Sequence, residues 1–347
     1  MRDTTMSSAA TPELEHLTLG FIPLVDAVLL IVAREQGFFT GQGLEVTLSR
    51  ENAWSTLRDK VAAGLLDGAH MLAPLPLAMS LGMERAPCDT LAPATLSHNG
   101  NTLVLSWWLC ERSGAALGDD PAHSARALGE WRARHPDAAR PRLAMVYPFS
   151  CQHFLLREWL ALGGLAADRD VDLIALPPPR MVAALREGQI DGFCVGEPWG
   201  SLAEHEGVGR LVASGAQLWA DHPEKVLGVT RSWARRYPAT LGALLRALNN
   251  ASDWLAERPE HRRQARDWLA LPPYLDRSVS HLDSLPAGQA PIRQRLYGDD
   301  LLRPDVEAMG RIAEALQRQL HARGRSLDIR TLHECHAPVH YDAALHQ

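Results

Sequence analysis

Along the chain, the spacing of apolar positions switches repeatedly between the two-residue alternation of strands and the three-to-four-residue period of helices. Leu17–Gly20 and Glu45–Leu48 read as short strands, and between them Asp26–Gln36 carries a helical apolar face that stops at Gly37. A helix over Trp54–Ala63 comes next. The order returns further on as a strand at Arg142–Tyr147, a helix at Gln152–Leu162 closed by Gly163-Gly164, a strand at Val171–Leu176 and a helix at Arg180–Glu187. Thr102–Ser106 and Val226–Thr230 read as further strands. From Arg231 onward the pattern is helical, at Ala239–Glu257, Arg262–Trp268 and Pro304–Arg323, broken by a Pro- and Gly-containing stretch at Leu285–Gly298.

Two segments echo each other. Gly64-Leu65-Leu66-Asp67-Gly68 is followed by five residues and Pro74; Gly188-Gln189-Ile190-Asp191-Gly192 is followed by five residues and Pro198. Each sits after a predicted helix, so each reads as a Gly C-cap, an Asp-Gly turn and a short buried strand that Pro ends. Gly and Asp are common at turns, but agreement at four positions favours two similar α/β lobes. Strands at Thr102–Ser106 and Val226–Thr230 would carry the chain out of the first lobe and back, and two crossovers make a hinge. The expected layout is a first lobe of residues 17–105 plus 226–347, which includes the C-terminal helices, a second lobe of 106–225, and a disordered segment at 1–16.

Composition narrows the function. The 347 residues are 46% hydrophobic and 22% charged with a net charge of −6, which disfavours a nucleic-acid surface. No run approaches the length of a membrane span. The first sixteen residues lack the basic start and apolar core of an export signal, so a cytoplasmic location is expected. Five scattered cysteines without a C-x-x-C pair suit reduced thiols. G-x-S-x-G, G-x-G-x-x-G, P-loop and H-E-x-x-H motifs are missing, so no enzyme and no cofactor is expected. His333-Glu334-Cys335-His336 has metal-ligating residue types but no second ligand pair at zinc spacing, and reads as a solvated tail.

In open α/β lobes, ligands sit beyond the carboxyl ends of strands, against helix N-termini. Phe21–Asp26, Arg50–Ser55 (with Asn52 a possible N-cap), Pro148–Gln152 and Gly196–Trp199 occupy such places. Trp54 and Gln152 could equally be packing or first-turn residues. Only Lys60 and Lys225 among 35 basic side chains are lysines, and Lys225 falls just before a crossover strand. A compact ammonium suits a small anion better than a wide guanidinium does.

At these residues the chain resembles a family. GFIPL, EQGFFTGQGLEVTLSRENAWSTLRDKVAAGLLDGAHMLAP, HNGNTLVLS, GEPW and HPEKVLG are similar to nitrate- and bicarbonate-binding proteins of cyanobacterial ABC importers, over about residues 17–235. The resemblance implies a type II periplasmic-binding-protein-like fold, two α/β lobes with a ligand cleft at the hinge. It is strongest to a cytoplasmic branch of nitrate/nitrite sensors, which implies nitrate or nitrite as ligand and an ANTAR-type RNA-binding antiterminator as partner, with no direct nucleic-acid or membrane contact. The rival is a substrate-binding component of an importer for nitrate, bicarbonate or a sulfonate. An enzyme of the pyrimidine-synthase kind shares the fold but would carry a cysteine-rich motif absent here. Carried over by motif, the pocket would hold Trp54, Asn101 and Lys225, bordered by Gly196 and Glu197. Where the family usually has His, this chain has Gln152, followed by His153; either Gln152 acts as a neutral donor or His153 turns inward.

Overall fold

The computed structural model describes residues 10–279, 282, 285 and 291–345. Ten strands run through it: β1 His16–Phe21, β2 Glu45–Arg50, β3 Gly68–Leu72, β4 Thr90–His98, β5 Asn101–Ser106, β6 Arg142–Met145, β7 Asp172–Ala175, β8 Gly192–Gly196, β9 Gly209–Ser214 and β10 Pro223–Thr230. They form two five-stranded sheets of the same plan, β2-β1-β3-β10-β4 and β7-β6-β8-β5-β9. Three parallel strands in each are joined by helices. The fourth position in each is filled by a strand arriving from the other lobe and running antiparallel.

The echoed turns do the same work in both sheets. Gly64 and Gly188 have positive φ, +71° and +66°, a conformation glycine adopts without Cβ strain. The Asp67 carboxylate accepts from the Thr18 amide at 2.8 Å, and the Asp191 carboxylate from the Arg142 amide at 2.8 Å. Each therefore ties the new strand to the first strand of its lobe.

The lobe boundary differs from the expected one. Asn101–Ser106 pairs with β8 and β9, so it belongs to the second sheet, and the chain crosses at Asn99-Gly100 rather than after residue 105. Lys225, expected in the second lobe, lies on β10 in the first sheet. The shift traces to β4, whose nine residues are all buried and so show no alternation. Its Pro93 is tolerated because β4 is an edge strand. The two crossovers lie side by side: the Asn99 amide donates to the His222 carbonyl at 3.0 Å.

The N-terminal expectation also changes in part. Residues 1–9 lie outside the described residues, but Glu13 accepts from the amides of Ala239 and Thr240, at the start of helix Pro238–Glu257. The C-terminal helices do not belong to the first lobe alone. Along and just beyond helix Gly310–His321, Arg323 donates to the Met83 carbonyl at 2.6 Å, while Gln319 donates to the Pro148 carbonyl at 3.2 Å on the other lobe. Cys335 and His336 are buried rather than solvated; burial pushes the thiol up to about 12 and the imidazole down to about 4.

Candidate functional site

Between the sheets lies a cluster of polar side chains with almost no exposure: Asp26, His70, Asn101, Gln152, Glu224 and Lys225, with Trp54 beside them. Lys225 Nζ donates to Asp26 Oδ2 at 2.8 Å and to Glu224 Oε1 at 2.7 Å, and stands 5.7 Å from the centre of the Trp54 ring. Burial alone would raise Asp26 and Glu224, but the Lys225 ammonium holds both below the usual carboxylate range. Burial opposes the charge on Lys225 in turn, and the two carboxylates more than offset it, so its pKa rises.

Adjacent residues on a regular strand point to opposite faces. Glu224 and Lys225 nevertheless meet, because β10 slips register against β4 both before and after Lys225. Such an irregularity re-aims side chains beside it.

The second lobe answers with two amides. Gln152 Nε2 donates to Asn101 Oδ1 and to Glu224 Oε1, each at 2.6 Å, and Asn101 Nδ2 donates to Glu224 Oε2 at 2.6 Å. A carboxylate only accepts, so it fixes the orientation of both amides. Gln152 Oε1 is thereby left buried without a partner in the protein. Gln152 sits in the first turn of helix Cys151–Leu162, whose N-cap Ser150 accepts from the His153 amide. His153 turns away: its Nδ1 lies 2.6 Å from the Pro148 carbonyl and 3.4 Å from Gln319, so of the two neighbours Gln152 is the one in the cluster.

Trp54 opens helix Trp54–Ala62, and its indole N–H is buried without a partner. The N-cap there is Ala53, with no side-chain cap; Asn52, expected to cap, falls one residue early. His70 on β3 places Nε2 2.8 Å from Asp26 Oδ1, and its Nδ1 has no partner. Gly196 borders the cluster: a Cβ there would lie 3.5 Å from Leu24, 3.7 Å from Asp26 and 3.8 Å from Asn101, all ordinary van der Waals contacts. The Glu197 carboxyl lies outside this bonded cluster. One oxygen accepts from Thr102 and the Ser201 amide, the other has no partner, and burial pushes it up to about 7. Its carbonyl instead joins the lobes by accepting from the Val25 amide at 2.8 Å.

The structure thus brings Trp54, Asn101, Gln152 and Lys225 together and leaves His153 and the Glu197 side chain out. Asp26, His70 and Glu224 escaped sequence reasoning. Asp26 reads as a helix start, His70 as part of a buried strand, and Glu224 only as the residue before Lys225 in HPEK. Among the described residues, Cys151, His222 and Glu224 place potential ligand atoms within 4.8 Å of one another. Both Glu224 oxygens are already taken by three donors, one of them an ammonium, which opposes a second cation.

Two lobes of one plan, closed over a buried polar cluster at helix N-termini, define the class of substrate-binding proteins. The chain belongs to the NMT1-like family, whose model matches residues 10–270. Among solved structures, the periplasmic nitrate-binding protein NrtA from Synechocystis PCC 6803 superposes with a TM-score of 0.84 at 26% identity, covering 97% of this chain and 90% of that one. The chain is 43% identical over 269 residues to the nitrate import ATP-binding protein NrtC of Synechocystis sp. PCC 6803, covering 77% of this chain and 39% of NrtC. It is 39% identical over 283 residues to the bicarbonate transport ATP-binding protein CmpC of the same organism, covering 81% of this chain and 41% of CmpC. The chain therefore spans about two-fifths of these two relatives, and it carries no P-loop motif of its own.

Proposed function

We propose that this chain is an anion-binding component of small-oxyanion uptake, with nitrate, nitrite or bicarbonate as ligand. The observation that carries the reading is the buried Lys225 ammonium beside the unpartnered Trp54 indole N–H, at the junction of the lobes. A small planar anion at the indole edge could take hydrogen bonds from both. The two import relatives, one named for nitrate and one for bicarbonate, support the ligand class and the transport reading.

The regulatory reading, a cytoplasmic sensor that releases an ANTAR-type antiterminator, rests on the sequence resemblance. The relatives' names speak of import and binding, so the importer reading is adopted. The two differ in an outcome: only a sensor would form a complex with an ANTAR-type protein that nitrate dissociates.

The anion reading is tested by thermal denaturation with nitrate, nitrite, bicarbonate and an alkanesulfonate. A ligand of the native state raises Tm by mass action, about 2.7 kcal/mol at a hundredfold excess over Kd. No shift with any of them at millimolar concentration would overturn the reading.

A further inference from the structure

We infer that the site takes up an acceptor-only anion such as nitrate together with one proton, and that His70 receives it. The inference rests on the anion-binding reading and deepens it.

The first support is the charge in the cluster. Asp26 and Glu224 face the single ammonium of Lys225, so two buried carboxylates outweigh one cation while His70 is neutral. An anion added to such a site increases a negative excess in a medium that screens charge poorly. A proton entering with it holds the total charge unchanged.

The second support is the tautomer of His70. Its Nε2 lies 2.8 Å from Asp26 Oδ1. Asp26 can only accept, so Nε2 carries the hydrogen, and in the neutral ring Nδ1 is a bare lone pair. That lone pair is buried, has no partner, and belongs to a ring whose centre is 5.9 Å from that of Trp54. Nitrate offers lone pairs only. Neutral His70 would set lone pair against lone pair, whereas the imidazolium would donate from Nδ1 and keep its bond to Asp26. The donors otherwise open to an anion are few, the Trp54 indole N–H and the one Lys225 hydrogen left after Asp26 and Glu224, while Gln152 presents an unpaired acceptor.

The ionisable groups facing His70 are Asp26 from the turn after β1 and Lys225 and Glu224 from β10; helix Trp54–Ala62 meets it with the Trp54 ring. Across the cluster, Cys151, Cys194 and His222 adjoin Glu224. His222 is the rival proton site. Its Nδ1 lies 2.8 Å from the Trp219 carbonyl, and its Nε2 is 3.5 Å from Glu224 Oε2 without a hydrogen bond. A proton there would meet Glu224 and not the anion, so His70 is the group that ligand entry protonates.

The sign follows from linkage. Burial lowers the pKa of His70 in the ligand-free protein, and the adjoining anion raises it in the complex. Between those two values nitrate affinity falls by up to tenfold for each unit rise in pH. The test is isothermal titration of the full chain with sodium nitrate at pH 7.0, in phosphate and in Tris, whose ionisation heats differ. Uptake approaching one proton per nitrate is expected, and it should survive in His222→Gln and vanish in His70→Gln. Nitrate heats that are equal in the two buffers after correction for dilution, or uptake lost in His222→Gln and kept in His70→Gln, would overturn the proposal. The wild-type comparison stands even if a variant fails to fold. Absence of binding by any oxyanion would instead remove the anion reading, and this inference with it.

Discussion

Lys225 shows why a residue's role depends on its partners. Read along the chain it is an isolated cation near a crossover; in the fold its ammonium sits between two fully buried carboxylates. Lys225→Ala would leave Asp26 and Glu224 buried without their counter-ion, and breaking a buried pair from one side costs roughly 3–5 kcal/mol. The variant should therefore lose stability as well as ligand binding. Its deficit should shrink as pH falls from 8 towards 5, because unpaired buried carboxyls protonate readily. Urea unfolding at several pH values measures this; a variant as stable as wild type at pH 8 would show that the ammonium does not neutralise the pair. Gln152 illustrates the same dependence, since its amide orientation is dictated by Glu224 and not by its own helix.

At the scale of elements, caps and turns carry information that the apolar pattern omits. Helix Pro238–Glu257 begins with a proline and has no side-chain cap from its N-cap residue, Tyr237. Glu13 supplies the missing acceptor from far away in the chain, bonding the Ala239 and Thr240 amides and the Thr240 hydroxyl. Slight burial raises the Glu13 pKa and these hydrogen bonds lower it further than that, for a net depression. Its contribution is therefore present above the unfolded-state carboxyl value and is lost as pH falls through the folded one. Glu13→Ala should cost about 0.5–1 kcal/mol near neutral pH, in the range of lost caps, and less at pH 3. Thermal melts of the two proteins at both pH values check it. The irregularity of β10 is the other decisive element: a regular strand would have sent Glu224 and Lys225 to opposite faces.

For the whole molecule, closure is held from several sides. The crossovers and the Val25–Glu197 bond lie at the core of the lobe junction. Elsewhere Arg58 and Glu84 of the first lobe both bond the Tyr147 hydroxyl of the second. The helix Gly310–His321 and the residues just after it bridge the two lobes, with Arg323 also over the Phe149 ring. Tyr147→Phe removes one hydroxyl from the Arg58–Glu84 contact and should weaken closure by about 1 kcal/mol. Hydrogen exchange at the Val25 amide should then accelerate about fivefold, with the core of each sheet unchanged. Equal protection in both proteins would mean that this contact does not hold the lobes together. No described helix is long and apolar enough to cross a membrane.

Much of the architecture was legible along the chain. The elements of both βαβ units follow from local apolar period, and the repeated G-x-x-D-G turns follow from the needs of a left-handed glycine and a capping carboxylate. The apolar period and the turn glycine are short-range properties, written in consecutive residues, although each turn Asp finds its amide donor 49 residues away. The motifs around Trp54, Asn101 and Lys225 likewise marked the region that the fold closes over. The tertiary structure decided what depends on distant partners. It set the crossover at Asn99-Gly100, because a strand buried on both faces has no alternation to reveal it. It turned Gln152 inward and His153 outward, a choice made by Glu224 on one side and by Pro148 and Gln319 on the other. It placed His70 against Asp26, 44 residues away in sequence, and so created a donor-poor, negatively balanced site. That balance belongs to no single segment of the chain: Asp26, His70 and the Glu224–Lys225 pair come from three separate stretches of the first lobe, and the second lobe closes over them with the neutral amides of Asn101 and Gln152.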